Sequence, residues 1–397
     1  MTPGSLAAVD HLIIGGGVAG VTLAAHLAER VCGGADGAAA PSILLLEAEP
    51  VLAHHTSGRS AQQLIPSYGP DAVRELTRLT LQELDRTQGV LEHPVVWPSA
   101  FLMAGTEEQV QANASDAMQR ITLEELARLA PELRPGRFAA AGLDTTAVRS
   151  DAPRLIQWHA ERARTAGAKL RTGARVTRIA PLADGGFEVS LEPGTPGEEA
   201  ERIRAHTVVN AAGAWADHVA ALAGAAELDL TPLRRTAAVV TLAEPLDPAH
   251  PMVDRADEAY YYRREGEHLL ISPSEAVPSP AEDAQPVMAE VETVIELIRQ
   301  DTTLQIQQVQ RAWTGLRTES PDGVPVVGPD PQVPGLFWLA GQSGYGFQTC
   351  SALARVATDL LVDGAVGDWC PAWAAEALAP ARFSAAGTAQ ASAPMRR

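Results

Sequence analysis

A two-domain α/β fold, with a dinucleotide-binding domain split along the chain, follows from where apolar runs end in small residues. The run Leu12-Ile13-Ile14 enters Gly15-Gly16-Gly17-Val18-Ala19-Gly20, with the spacing G-x-G-x-x-G at Gly15, Gly17 and Gly20. Val208-Val209 runs into Asn210-Ala211-Ala212-Gly213-Ala214-Trp215, and Leu336-Phe337-Trp338-Leu339-Ala340 into Gly341, followed by Gly344-Tyr345-Gly346-Phe347. Between the second and third of these, residues 226–310 read as strand-rich. The chain therefore divides into a nucleotide domain at 1–84, 144–225 and 312–375 and a substrate domain, an antiparallel sheet, at 85–143 and 226–311.

The first turn carries the most chemistry. Gly15 permits a tight turn, Gly17 lets backbone approach a pyrophosphate, and Gly20 lets helix pack on strand. The helix that follows offers unpaired N–H groups and a positive dipole end to phosphate. Val21, Leu23, Ala24, Leu27 and Val31 supply its buried face. A second strand, Ile43-Leu44-Leu45-Leu46, ends in Glu47, whose carboxylate can accept both ribose hydroxyls. Its distance from Gly20 exceeds the usual ~20 residues because residues 33–41 read as an inserted flexible loop.

Further along, residues 94–104 read as a strand and 106–120 and 122–130 as amphipathic helices. Asp151 is placed to N-cap a helix with Leu155, Ile156, His159, Ala160 and Ala163 on one face. Strands are expected at 174–179, 186–191, 205–210, 234–242, 259–263 and 268–272, with one helix at 286–300. A last helix, starting near Tyr345, carries Cys350, Leu353, Ala354, Ala357, Leu360 and Leu361 on one face. Residues 383–397 read as a disordered tail.

Composition narrows the partners. The 397 residues are 46% hydrophobic and 20% charged, with a formal net charge of −18, which fits a globular protein with an ample core. So acidic a chain is a poor match for nucleic acid or an anionic membrane. Lys169 is the only lysine. Cys32, Cys350 and Cys370 show no metal or redox spacing and fit a reducing cytoplasm. No signal-peptide pattern and no run of ~18 apolar residues is present, so stable membrane insertion is not expected, and neither is a bound metal.

Several segments together resemble the D-amino-acid oxidase (DAO) family of glutathione-reductase-type flavoproteins, most closely its bacterial D-arginine dehydrogenase-type members. They are the glycine turn with Glu47; Thr56-Ser57-Gly58-Arg59-Ser60-Ala61; Val209–Trp215; Leu233-Arg234-Arg235; Tyr260-Tyr261-Tyr262; Trp313-Thr314-Gly315-Leu316-Arg317; and Gly341–Thr349. The resemblance spans roughly residues 8–365 and implies FAD. It assigns the cofactor to Gly15, Gly17, Val18, Ala19, Gly20, Glu47, Ser57, Arg59, Ser60, Ala61, Val176, Ala212, Gly213, Trp215, Gly344, Tyr345, Gly346, Phe347, Gln348 and Thr349. The helix near Tyr345 would aim its N-terminus at the pyrimidine side of the flavin, where negative charge develops on reduction. The cysteine and histidine that hold FAD covalently in related branches fall near Gly315 and Arg59, so the FAD is expected to be non-covalent.

The same resemblance places Arg317, Arg235, Tyr261 and Tyr68 in the substrate site. A pair of guanidinium groups is a natural fork for a carboxylate. Arg234 and Arg235 remain alternatives for the inward position. In a strand, Tyr261 points opposite to Tyr260 and Tyr262. The implied reaction is hydride transfer from Cα of a D-amino acid to flavin N5, giving an imino acid that hydrolyses to a 2-oxo acid and ammonia. Residues 97–101, where D-arginine enzymes carry a carboxylate for the guanidinium, contain none here, and Gln63 and Ile65 replace a histidine and a threonine. A neutral or apolar side chain is therefore expected. Rival readings are a sarcosine- or proline-type secondary-amine oxidase, a 2-hydroxy acid dehydrogenase and a non-catalytic FAD-binding subunit. The electron acceptor is left open.

Overall fold

The computed structural model describes residues 7–32, 41–88, 93–195 and 199–383. Nearly all of the loop expected at 33–41, and the tail expected beyond Phe383, lie outside the described residues.

Ala7–Ile14 runs through the middle of an eight-stranded sheet, parallel to Ile43–Leu46 on one side and Arg202–Asn210 on the other. Lys169–Arg171 and Leu336–Ala340 extend the parallel set outward. Parallel strands are covered on both faces, which is why Leu336–Ala340 is an unbroken apolar run with every residue buried. The helices Val18–Cys32, Ala152–Thr165 and Cys350–Val362 pack together over one face. Asp151 caps the second of these, accepting from the Arg154 N–H at 3.0 Å. Because the strands are parallel, their C-terminal ends share one edge. That edge gathers Gly15–Gly17, Glu47, Ala211–Trp215 and the turn after Ala340, the position where ligands bind such sheets.

A nine-stranded second sheet is built around Thr231–Leu242, which pairs along its whole length with Ile306–Glu319 on one side and with His268–Ser272 and Val277–Pro278 on the other. From His268–Ser272 the order continues through Tyr261–Glu265, Met252–Arg255, Phe101–Gly105, Ala140–Asp144 and Gln119–Ile121. All neighbours are antiparallel except Met252–Arg255 and Phe101–Gly105, which are parallel. The helix Met288–Asp301 covers one face, where Tyr260, Tyr262, Leu269 and Ile271 meet Val291, Val294 and Ile298. The other face carries Phe101, Met252, Ala237 and Tyr261. A small sheet of Gln63–Leu64, Val148–Ser150 and Val96–Pro98 lies beside them.

Several expectations are corrected. The helix expected at 106–120 is only Glu107–Ala112, closed by a Thr106/Gln109 capping box. Asn113, Ser115 and Asp116 favour turns over helix, and Gln119–Ile121 becomes an edge strand. The strand expected at 94–104 is two strands in different sheets, Val96–Pro98 and Phe101–Gly105. The helix expected to start near Tyr345 starts at Cys350. The divisions expected at 84/85 and 311/312 fall inside Asp71–Gln88 and Ile306–Glu319, so Arg317 sits on the second sheet.

Candidate active site

Two cavities lie along the edge where the glycine turns gather. The first is lined by Gly15, Gly17, Glu47, Glu49, Ala174–Val176, Ala211–Trp215 and the 53–57 segment. Gly15 has φ +117°, and a Cβ on it would collide with the Ala211 carbonyl. Gly16 also has to be glycine, because a Cβ there would stand 2.8 Å from Glu47 Oε2. Glu47 accepts from the Gly16 N–H at 2.6 Å through Oε2 and from the Glu49 N–H at 2.8 Å through Oε1. The carboxylate is thus fixed at the tip of its strand, facing the cavity. Ser57 Oγ accepts from the Val18 N–H at 2.9 Å, at the N-terminus of the first helix. Thr56 ties this segment to the second sheet: its hydroxyl donates to the Leu316 carbonyl at 2.8 Å. A glycine turn that accepts only backbone, a helix N-terminus and an acidic strand tip form a cradle suited to the adenosine-diphosphate end of a dinucleotide.

The second cavity opens from the same Thr56–Ser57 segment. Arg235, Arg317, Tyr68 and Tyr261 line it together, with Arg59, Ser60, Ala61, Gly315, Gly344, Gly346, Phe347 and Gln348. Strand alternation resolves the two neighbouring choices. Arg234 turns outward and donates to Glu290 at 2.8 Å, leaving Arg235 inward. Tyr260 and Tyr262 face the helix side, where they donate to Asp301 and Glu132, leaving Tyr261 on the cavity. The absence of a side chain at Gly344 leaves room for the guanidinium: a Cβ there would lie 2.9 Å from Arg317 Nη1 and 3.0 Å from its Cζ and would push it aside.

Neither Arg235 nor Arg317 has a carboxylate or hydrogen-bond partner for its guanidinium among the described residues, and Arg235 Nε is buried without one. Burial and the adjacent Arg317 lower the pKa of Arg235. Burial also raises Tyr68 and Tyr345 well clear of ionisation at neutral pH. Two half-buried cations without partners, beside neutral hydroxyls, make an anion-binding wall, since a charge drawn out of water without a partner is costly.

Other residues take parts that the sequence did not show. Arg59 lines the cavity, but its guanidinium is bound to Asp283, the Thr314 carbonyl at 2.7 Å and the Ala284 carbonyl at 3.1 Å. Gln348 donates to Thr77 Oγ1 at 2.9 Å and to the Tyr68 carbonyl at 3.3 Å, so it braces the loop that presents Tyr68. Val18 lines the second cavity. Ala19, Gly20, Tyr345 and Thr349 line neither. Gly20 instead packs on Gly15, Tyr345 stands against the Tyr68 ring at 5.4 Å, and Thr349 bonds back to the Tyr345 carbonyl at 2.7 Å. Cys350 is a buried helix residue whose thiol burial pushes up to about 12. His54 and His55 line the first cavity, beside Glu49.

Asp254 and Glu258 also line the second cavity. No sequence pattern points to them, because Met252–Arg255 is a four-residue strand without a clear period. Their presence removes the ground for expecting a neutral or apolar side chain. That expectation rested on the absence of acid at 97–101, and the acids come from a different strand and its following turn.

Residues 10–360 match the family model described as FAD dependent oxidoreductase, DAO. Mitochondrial dimethylglycine dehydrogenase of Rattus norvegicus is 26% identical over 396 residues, covering 89% of this chain and 43% of that protein. The chain thus spans less than half the length of this relative. L-proline dehydrogenase from P. horikoshii shares the fold at a TM-score of 0.79 and 21% identity, covering 96% of this chain and 98% of the other. L-alpha-glycerophosphate oxidase from Mycoplasma pneumoniae, with FAD bound, does so at a TM-score of 0.76 and 20% identity, covering 93% and 98%.

Proposed function

The chain belongs to the DAO family of FAD-dependent oxidoreductases, and from that premise we propose that it oxidises the Cα–N bond of a D-amino acid. The observation that carries the proposal is the pair of unpaired guanidinium groups, Arg235 and Arg317, facing one cavity. Gly15–Gly17 and Glu47 would hold the adenosine end of FAD, and Gly315, Gly344, Gly346 and Phe347 would face its ring system; when bound, it would supply the hydride acceptor. Arg317 and Arg235 hold the substrate carboxylate through planar, charge-assisted hydrogen bonds. Tyr261 and Tyr68, kept neutral by burial in the case of Tyr68, orient the substrate as hydrogen-bond donors. Holding the carboxylate fixes Cα, which lowers the entropic part of the barrier. The imino acid released hydrolyses to a 2-oxo acid and ammonia.

We further propose that the FAD is non-covalent: among the described residues no cysteine lines either cavity, and the histidines that do, His54 and His55, line the adenosine-end cavity and not the one with Gly315 and Gly344. Acid precipitation should leave a colourless pellet and a yellow supernatant, and colour retained on the pellet would contradict this.

A secondary-amine substrate is the second reading, favoured by the names of the relatives, dimethylglycine dehydrogenase and L-proline dehydrogenase. Anaerobic mixing of the yellow holoprotein with D-amino acids, N-methyl amino acids, proline and 2-hydroxy acids separates the readings. Bleaching by D-amino acids supports the first. Bleaching by N-methyl amino acids or proline alone supports the second. Repeating the mixing in air shows whether oxygen reoxidises the flavin.

A further inference from the structure

The segment between Ser272 and Met288 crosses from one cavity to the other. Ser274 lines the second cavity and Ala281 the first, and the two cavities share Thr56 and Ser57. The first half of the segment is fastened to Thr231–Leu242. Glu275 accepts from the Thr236 N–H at 2.6 Å, Val277–Pro278 pairs with Leu233–Arg234, and the Ser279 N–H donates to the Pro232 carbonyl at 3.0 Å. The second half is held differently. Among the described residues, the hydrogen bonds and ion pairs that leave residues 280–285 run to Arg59 and His55. The Asp283 carboxylate and the Ala284 carbonyl accept from the Arg59 guanidinium, and His55 Nδ1 stands 3.8 Å from the same carboxylate. Arg59 is itself fixed at both ends: its carbonyl accepts from Trp313 Nε1 at 2.9 Å, and its guanidinium donates to the Thr314 carbonyl. The guanidinium is largely buried, whereas Asp283 is half exposed and lines neither cavity. The hydrogen bond from Arg59 holds the Asp283 carboxyl below the usual carboxylate range, so the pair is ionic at neutral pH.

We propose that Arg59 and Asp283 form a latch that closes residues 280–285 over the junction of the two cavities and so sets how fast FAD enters and leaves. Asp283 is a positioning residue, acting on the cofactor through Arg59. A dinucleotide that spans both cavities passes the Thr56–Ser57 wall they share, and Arg59 anchors the crossing segment beside that wall. The two halves of the segment respond differently to opening. The first stays with its sheet, whereas the second swings away once Arg59 lets go. An ion pair with one partner half in water is weak, so the latch opens without unfolding either sheet. The proposal rests on the placement of FAD given above and not on the choice of substrate.

The test measures exchange of bound FAD for excess 5-deaza-FAD in the substrate-free holoprotein, followed by loss of the flavin's long-wavelength band. Asp283→Asn keeps the shape of the side chain and removes its charge. It should release FAD about threefold faster than wild type, as expected for loss of a partly exposed ion pair. That ratio should shrink toward one as salt rises from about 0.05 to about 0.5 M, because an exposed pair is screened. In an Arg59→Gln background Asp283→Asn should add nothing, since the two residues act as one unit. Release at the wild-type rate overturns the latch, as does a ratio that ignores salt or an effect of full size without Arg59. Should Arg59→Gln not fold, the salt dependence decides. A lower Tm of the Asp283→Asn apoprotein would trace faster release to loosened structure and also overturn the latch. Gly15→Ala separates failure of the latch from failure of the placement. FAD content equal to wild type in that variant would contradict the placement of FAD, whereas unchanged release in Asp283→Asn contradicts the latch alone.

Discussion

Gly344 lies across the Arg317 guanidinium so closely that a Cβ on it would stand 2.9 Å from Nη1. The late glycine turn and the long strand Ile306–Glu319 are thereby set against each other at the substrate site. Gly344→Ala should displace the guanidinium and not the fold, because Arg317 is a long side chain that can move. The expected result is a KM raised at least tenfold with FAD content close to that of wild type. Steady-state kinetics and the ratio of flavin to protein absorbance check this together.

Gly15→Ala should behave differently. The new Cβ would meet a backbone carbonyl, Ala211 O, at a position with φ +117°, and neither can yield cheaply. Destabilisation of more than about 1 kcal/mol follows from the positive φ alone. The variant should purify with reduced FAD and a lower Tm, and thermal melts with and without added FAD measure both.

Asp254 gives a pH signature. Burial, and then the neighbouring Glu258 carboxylate, push its pKa well above the ordinary carboxylate range. The folded protein therefore keeps this proton to higher pH than the unfolded chain does. Stability is lost as pH rises from the unfolded pKa through the folded one. Asp254→Asn removes this loss, so the difference in Tm, variant minus wild type, should grow from acidic to alkaline pH. Melts of the substrate-free holoprotein across that range test it; a difference that shrinks with rising pH would be the wrong sign.

Most of the cofactor half was legible because its rules are local. A glycine turn between an apolar run and an amphipathic stretch has few other meanings, and Glu47 followed at the tip of the next strand. Alternation ordered Tyr260, Tyr261 and Tyr262 correctly, since a strand leaves two faces only. It could not choose between Arg234 and Arg235, because which face is inward depends on Glu290, a distant residue that takes Arg234. Asp254 was invisible for a related reason: its strand is four residues long, and its role comes from pairing opposite Tyr261. Gln348 was assigned to the cofactor by its place in the glycine loop, whereas its amide spans to Thr77 and Tyr68, more than 270 residues away in sequence. Gly and Ser compete with helix before Cys350, so the Cys350–Val362 helix begins later than the apolar pattern implies.

Anaerobic rapid mixing of wild type and Arg317→Leu with the same D-amino acid tests the central claim most directly. In wild type the flavin absorbance should bleach with a saturable dependence on substrate. In Arg317→Leu the apparent Kd should rise at least tenfold, as loss of a charge-assisted contact costs about 1.5–3 kcal/mol. Failure of every D-amino acid to bleach wild type, or an unchanged Kd in the variant, would contradict a carboxylate held at Arg317 beside the flavin.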